Sequence, residues 1–88
     1  MEFLVYGKPN CPYCEQAKSL LTAKGVDYVY YSLDQDFTVP DLIDMVIAKT
    51  GVRPSTFPQI FVRDDEDADT THVGGFTDLR DFLAQAAE

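Results

Sequence analysis

Two short runs, Phe3 to Tyr6 and Tyr28 to Leu33, bracket a helical pattern, and this constrains the fold more than any other feature of the chain. A continuous apolar run such as the first suits a strand buried on both faces. The second is rich in aromatic and β-branched residues, as strands are. Between them Cys14, Ala17, Leu20 and Leu21 fall on one helical face, with Glu15, Lys18 and Ser19 off it. Pro12 suits the first turn, where its missing N–H is not needed, and Gly25 suits the C-cap. A strand, a helix and a strand within about 30 residues read as a right-handed parallel βαβ unit.

The remainder extends this unit. Thr38 and Asp41 form a capping box with Pro40 inside the first turn, and Val39, Leu42, Ile43, Val46 and Ile47 trace a helix face closed by Gly51. Gln59 to Val62 reads as a third strand behind Pro58, and Thr70 to Val73 as a fourth, the two forming a hairpin around the acidic stretch Asp64 to Asp69. That stretch lacks the glycine and terminal glutamate of a calcium loop, so it reads as a solvated turn, with a docking or metal patch as the alternative. Gly74 and Gly75 break the chain before a last helix with Leu79, Phe82, Leu83 and Ala86 on one face. The order β-α-β-α-β-β-α fits an α/β fold: a four-stranded mixed sheet covered by three helices, one domain over residues 1–88.

Composition narrows the functional classes. The chain carries 7 Lys and Arg against 15 Asp and Glu, a formal charge of −8, which leaves no basic surface for nucleic acid. The acidity favours a soluble monomer. No stretch approaches the roughly 18 apolar residues needed to span a bilayer, and the opening MEFLVYGK is too short an apolar run for a signal peptide, so the expected location is the cytoplasm.

The cysteines Cys11 and Cys14 lie in one Cys-Pro-Tyr-Cys. Bridging residues this close removes little chain entropy, so the pair is not there for stability. The motif follows the first strand and opens the first helix. Cys11 therefore sits where unpaired N–H groups and the macrodipole favour an anion, which can lower a thiol pKa from about 8.5 to between roughly 3.5 and 7.5. Lys8, three residues upstream, adds positive charge. Cys14 is one turn further in, on the buried face. An exposed thiolate beside a shielded thiol forms an attacking and resolving pair. Half of a zinc site is the alternative, with His72 the only other soft ligand, as are two unrelated buried cysteines.

These residues resemble the glutaredoxin family. Cys11-Pro12-Tyr13-Cys14, the segment Thr56-Phe57-Pro58-Gln59-Ile60-Phe61 and the segment Val73-Gly74-Gly75-Phe76-Thr77-Asp78 stand in that family's order and spacing, and the resemblance covers nearly the whole chain. It implies the thioredoxin fold, Cys11 as nucleophile and Cys14 as resolving cysteine. It implies a cis Pro58, with Phe57 presenting its backbone to the cysteine of glutathione and Thr56 beside it. Read from the residues alone, Pro58 opens an edge strand. The resemblance also implies that Gly75 and Phe76 lie against glutathione, that Thr77 and Asp78 hold its γ-glutamyl end, that Tyr13 lines the groove, and that Lys8 meets the glycyl carboxylate. Arg53 is a second candidate for that carboxylate, although Pro54 and Ser55 separate it from the Thr-Phe-Pro segment, and an exposed Arg with no ligand is the plainer reading. A helix cap by Thr77 or Asp78 is the plainer reading of those two residues. Phe57 stands where the family often has valine, and Phe76 where it often has a small residue. Both are expected to narrow the groove. His72 reads as a strand residue without a catalytic role.

The activity implied is reduction of protein disulfides and glutathione mixed disulfides. Glutathione is the co-substrate, no cofactor is permanently bound, no metal is required, and ribonucleotide reductase is a partner suggested by the family. Three rivals stand beside it, one of them an interaction protein that keeps the fold without turnover, which the complete motif argues against. A thioredoxin-like protein would be reduced by a flavoprotein reductase, but its motif has Gly-Pro between the cysteines and a Trp before them, and this chain has no Trp. A glutathione-ligated iron–sulfur module is commonest with one motif cysteine followed by glycine, and Pro12 argues against it.

Overall fold

The computed structural model describes residues 1–64 and 69–86. The readings made above for the acidic tip between Asp64 and Asp69, and for the Ala86 side chain, lie outside the described residues. The elements run β1 (Glu2–Gly7), α1 (Pro12–Lys24), β2 (Asp27–Ser32), α2 (Val39–Thr50), β3 (Gln59–Arg63), β4 (Thr70–Gly74) and α3 (Phe76–Ala86). The four strands form one mixed sheet in the order β2-β1-β3-β4. β1 pairs β2 in parallel and β3 antiparallel, and β3 pairs β4 antiparallel with a register shift at Ile60/Phe61. This is the expected four-stranded mixed sheet with three helices, in the expected order.

β3 lies inside the sheet, not at its edge. Pro58 escapes the usual exclusion of proline from an internal strand because β3 begins at the next residue, Gln59. The edge-strand reading of Pro58 is therefore corrected.

Alternation along the central strands divides the core in two. Phe3, Val5, Ile60 and Val62 point to the side where α1 and α3 bring Ala17, Leu21, Leu79 and Leu83. Leu4 and Phe61 point to the other side and meet Phe37 together with Leu42 and Val46 of α2. α1 and α3 thus share one face and α2 covers the opposite one.

The helix ends follow local chemistry. At the end of α1, Gly25 at φ 68° donates to Leu21 and Thr22 carbonyls, and Val26 donates to Leu21, the hydrogen-bond pattern of a Schellman cap. α2 has the expected capping box: Asp41 N–H donates to Thr38 Oγ1 at 3.3 Å and Thr38 N–H donates to an Asp41 oxygen at 3.1 Å. The face of α2 is narrower than its sequence suggests. Leu42 and Val46 are buried and Met45 packs beside them, whereas Val39 and Ile47 stay 44% and 42% exposed. A single helix resting on a sheet can seal only the strip of its surface that touches the strands, so the flanking apolar positions stay at the rim.

Leu21 is fully buried and Ile47 is not. Leu21→Ala is expected to lower stability by about 2–5 kcal/mol through lost burial and a cavity. Ile47→Ala is expected to change it by less than about 0.5 kcal/mol. Urea denaturation midpoints of the two variants check both values.

Candidate active site

The site starts from the way the chain enters α1. Asn10 takes the left-handed conformation at φ 56°, which asparagine tolerates better than most residues. Cys11 follows as an extended N-cap at φ −118° and ψ 101°, and Pro12 occupies the first turn. A cap side chain in this geometry accepts from the open end of the helix. Here the acceptor is sulfur: Cys14 N–H donates to Cys11 Sγ at 3.2 Å. Glu15 N–H closes the first turn on the Cys11 carbonyl at 3.2 Å.

Cys11 and Cys14 are joined in a disulfide, with their Cα atoms 5.2 Å apart. That is an ordinary Cα separation for such a bond. Cys14 is fully buried and Cys11 retains 7% exposure. The order of exposure is the expected one, but Cys11 is far less open than the exposed thiolate read from the sequence. Bonding explains part of the difference, since each sulfur covers the other.

The remaining candidates come from separate parts of the chain. The Phe57–Pro58 peptide bond is cis. Lys8 sets its ammonium 5.2 Å from the centroid of the Phe57 ring, so the strand-to-helix loop and the proline turn meet through a cation–π contact. Tyr13 stacks on Phe76 at 6.1 Å, joining α1 to α3. Phe57 and Phe76, the two aromatic residues that depart from the pattern the chain resembles, thus each pair with another candidate site residue. Gly75 lies next to Pro58, since a Cβ built on it would stand 3.7 Å from the Pro58 carbonyl oxygen.

Arg53, Thr56, Gly75 and Asp78 line one groove, with a volume of about 270 Å³, together with Gln59 and His72. Lys8, Tyr13 and Phe57 stand outside it. Thr77 is an exposed residue in the first turn of α3.

At the start of α3 the cap is Asp78, whose carboxylate accepts from Gly75 N–H at 3.0 Å; Thr77 does not serve as the cap. An acidic residue in the first turn also suits the helix dipole. The glycine with a stringent requirement is Gly74. It sits at φ 124°, and a Cβ there would collide with the Asp78 carboxylate.

His72 is half-buried, and burial pushes its pKa below 6.5 while the nearby Asp78 charge works the other way. Sequence reasoning had assigned no role to either His72 or Gln59. The signal available was the polar residue directly after Pro58, at a position that a buried strand would fill with an apolar side chain.

Two cysteines bonded across the first turn of a helix, on a four-stranded mixed sheet whose third strand follows a cis proline, define a thiol–disulfide oxidoreductase of the thioredoxin fold. The family model described as Glutaredoxin matches residues 3–66. Glutaredoxin 1 of Escherichia coli strain K12 is 36% identical over 91 residues, covering 97% of this chain and 95% of that protein. Among solved structures, Glutaredoxin 1 from Francisella tularensis complexed with cacodylate superposes with a TM-score of 0.75 at 26% identity, covering 98% of this chain and 95% of that one. The buckwheat glutaredoxin–glutathione complex gives a TM-score of 0.70 at 25% identity, covering 96% of this chain and 69% of that one. The chain belongs to the glutaredoxin family.

Two outcomes follow from this geometry. Gly74→Ala is expected to cost at least about 1 kcal/mol, because alanine resists this conformation and meets Asp78. Thermal unfolding of the variant reads this cost. For His72, a lowered folded pKa means that the unfolded chain binds the proton more readily. Its contribution to stability is therefore present above about pH 6.5 and is lost as the pH falls below that value. His72→Gln is expected to give a shallower loss of stability than the parent as the pH falls below about 6.5. Denaturation curves at matched pH values test the difference.

Proposed function

We propose that the chain is a glutathione-dependent oxidoreductase that reduces protein disulfides and glutathione mixed disulfides, with Cys11 as nucleophile and Cys14 as resolving cysteine. The observation that carries this reading is the Cys14 N–H directed at Cys11 Sγ, 3.2 Å away at the start of α1. When the bond to Cys14 is reduced, the same donor and the helix dipole face a thiolate, and both favour the ionised form.

In the proposed cycle, the Cys11 thiolate attacks the glutathionyl sulfur of a mixed disulfide and the substrate thiolate leaves. A second glutathione thiolate attacks that sulfur, releases oxidised glutathione and regenerates Cys11. With a protein disulfide, Cys11 first forms a mixed disulfide with one substrate sulfur, and Cys14 then displaces it to give the Cys11–Cys14 bond. Glutathione thiolate reopens that bond by attack on Cys11, with Cys14 leaving. A second glutathione completes the reduction.

In this reading the backbone of Phe57, turned by the cis bond to Pro58, pairs with the cysteine of glutathione as a short β-like contact, with Thr56 beside it. The γ-glutamyl end meets the α3 start at Gly75, Phe76, Thr77 and Asp78. First-turn N–H groups there suit its carboxylate. Asp78 gives one oxygen to Gly75 and keeps the other for the α-amino group. Lys8 and Arg53 offer positive charge to the glycyl carboxylate, and Tyr13 shields the sulfurs. The buckwheat relative's complex with glutathione supports this choice of co-substrate. The cytoplasm, with its glutathione pool, is the compartment that goes with this reading, and ribonucleotide reductase is one candidate disulfide partner.

The test compares deglutathionylation by Cys14→Ser and Cys11→Ser in the presence of glutathione. Activity should survive in the first and vanish in the second, and the reverse result refutes the assignment. Lys8→Ala should raise KM for glutathione by up to about 5-fold, the worth of an exposed ion pair, with kcat unchanged.

A further inference from the structure

Gln59 is, among the described residues, the polar side chain held in the interior, at 5% exposure. It is the first residue of β3 and directly follows the cis proline. A buried amide is costly unless its groups are paired, so its partners fix its orientation. Nε2 donates to the Thr56 carbonyl at 2.8 Å and lies 3.4 Å from Thr56 Oγ1. A carbonyl oxygen can only accept, so the nitrogen of the amide faces Thr56 and Oε1 faces away from it. Oε1 stands 2.8 Å from His72 Nε2. An amide oxygen also only accepts, so His72 Nε2 carries a proton and donates it. The hydrogen bonds therefore run in one direction, from His72 on β4 through Gln59 to the backbone of Thr56.

The two ends of this relay differ in rigidity. His72 is anchored in a paired strand, with its ring edge-on to Phe61 at 5.1 Å. Thr56 belongs to the stretch between α2 and β3, which forms no ladder and is mostly exposed. Such a segment would lose conformational freedom each time it received a ligand, at a cost set by the number of residues ordered. A bond from the sheet to the Thr56 carbonyl orders it beforehand.

We propose that His72 is a positioning residue: by donating to Gln59 it holds the Thr56 carbonyl, and so holds the Phe57–Pro58 turn in the geometry that receives the substrate. This rests on the proposed pairing of the Phe57 backbone with glutathione. His72 touches neither sulfur nor substrate in this role, and its effect is on binding.

The experiment uses the full chain with three substitutions: His72→Leu, which removes the donor; His72→Gln, which returns an N–H at a similar reach; and Gln59→Met, which breaks the middle of the relay. Steady-state kinetics with a glutathionylated peptide and glutathione are measured beside hydrogen exchange at the Thr56 and Phe57 amides of the unliganded protein. In His72→Leu, KM for the peptide should rise roughly 10-fold, what one buried hydrogen bond contributes. Both kcat and the alkylation rate of reduced Cys11 should stay at parental values, and the two amides should exchange faster. His72→Gln should bring KM back to within about 3-fold of the parent. The double variant His72→Leu/Gln59→Met should be no worse than the weaker single variant, as expected for members of one network.

A folded His72→Leu with parental KM and parental exchange overturns the proposal, as does a His72→Gln no better than His72→Leu. If His72→Leu does not fold, Gln59→Met decides by the same two measurements. If the parent itself shows no turnover with glutathione, the proposed function falls, and the exchange measurement alone decides whether His72 orders the turn.

Discussion

The start of α1 is the constraint on which the site depends. A helix leaves its first N–H groups without partners, and some acceptor must meet them. Here that acceptor is the Cys11 sulfur, which receives the Cys14 N–H at 3.2 Å. One interaction therefore serves folding and chemistry together: it caps the helix in the state described here and faces the sulfur with a donor that favours its anion. It also requires that α1 be seated on the sheet. Ala17 and Leu21, both fully buried against Phe3, Val5 and Ile60, provide that seat and fix where the helix begins.

Two helix starts converge near the cysteines. α1 presents Cys11 and α3 presents Gly75 with Asp78, and the Tyr13–Phe76 stack joins them at the rim. Between them comes the cis Phe57–Pro58 turn, close enough to Gly75 that a side chain there would touch the Pro58 carbonyl. The chain as a whole carries a formal charge of −8, yet the positive ends of two helix dipoles face this small region. The Asp78 carboxylate answers the α3 dipole, whereas at α1 the Cys11 sulfur itself meets the open helix end.

The proline turn joins these parts and has little regular structure of its own. Its contacts come from three sides: Lys8 over the Phe57 ring, Gly75 beside Pro58, and Gln59 bonded back to Thr56. The last is the strongest restraint by its nature, because a buried amide loses more from a broken hydrogen bond than an exposed cation loses from a displaced ring.

The element order, the caps and the identity of the cysteine pair are legible in the residues alone. Each of these depends on residues within about one helical turn or one strand. The Thr38–Asp41 capping box, the glycine C-caps at Gly25 and Gly51 and the placement of Cys11 before Pro12 are decided by chemistry that neighbouring positions contain. The rest comes from how distant segments pack. That β3 is internal, that Val39 and Ile47 of α2 stay at the rim, that Gly74 makes room for Asp78, and that His72 reaches Thr56 through Gln59 are outcomes of packing between segments far apart in the chain. Periodicity says that a face is apolar but not how wide a strip its partner will cover, and a hydrogen bond between His72 and Gln59 has no trace in spacing, because strand pairing and register brought them together.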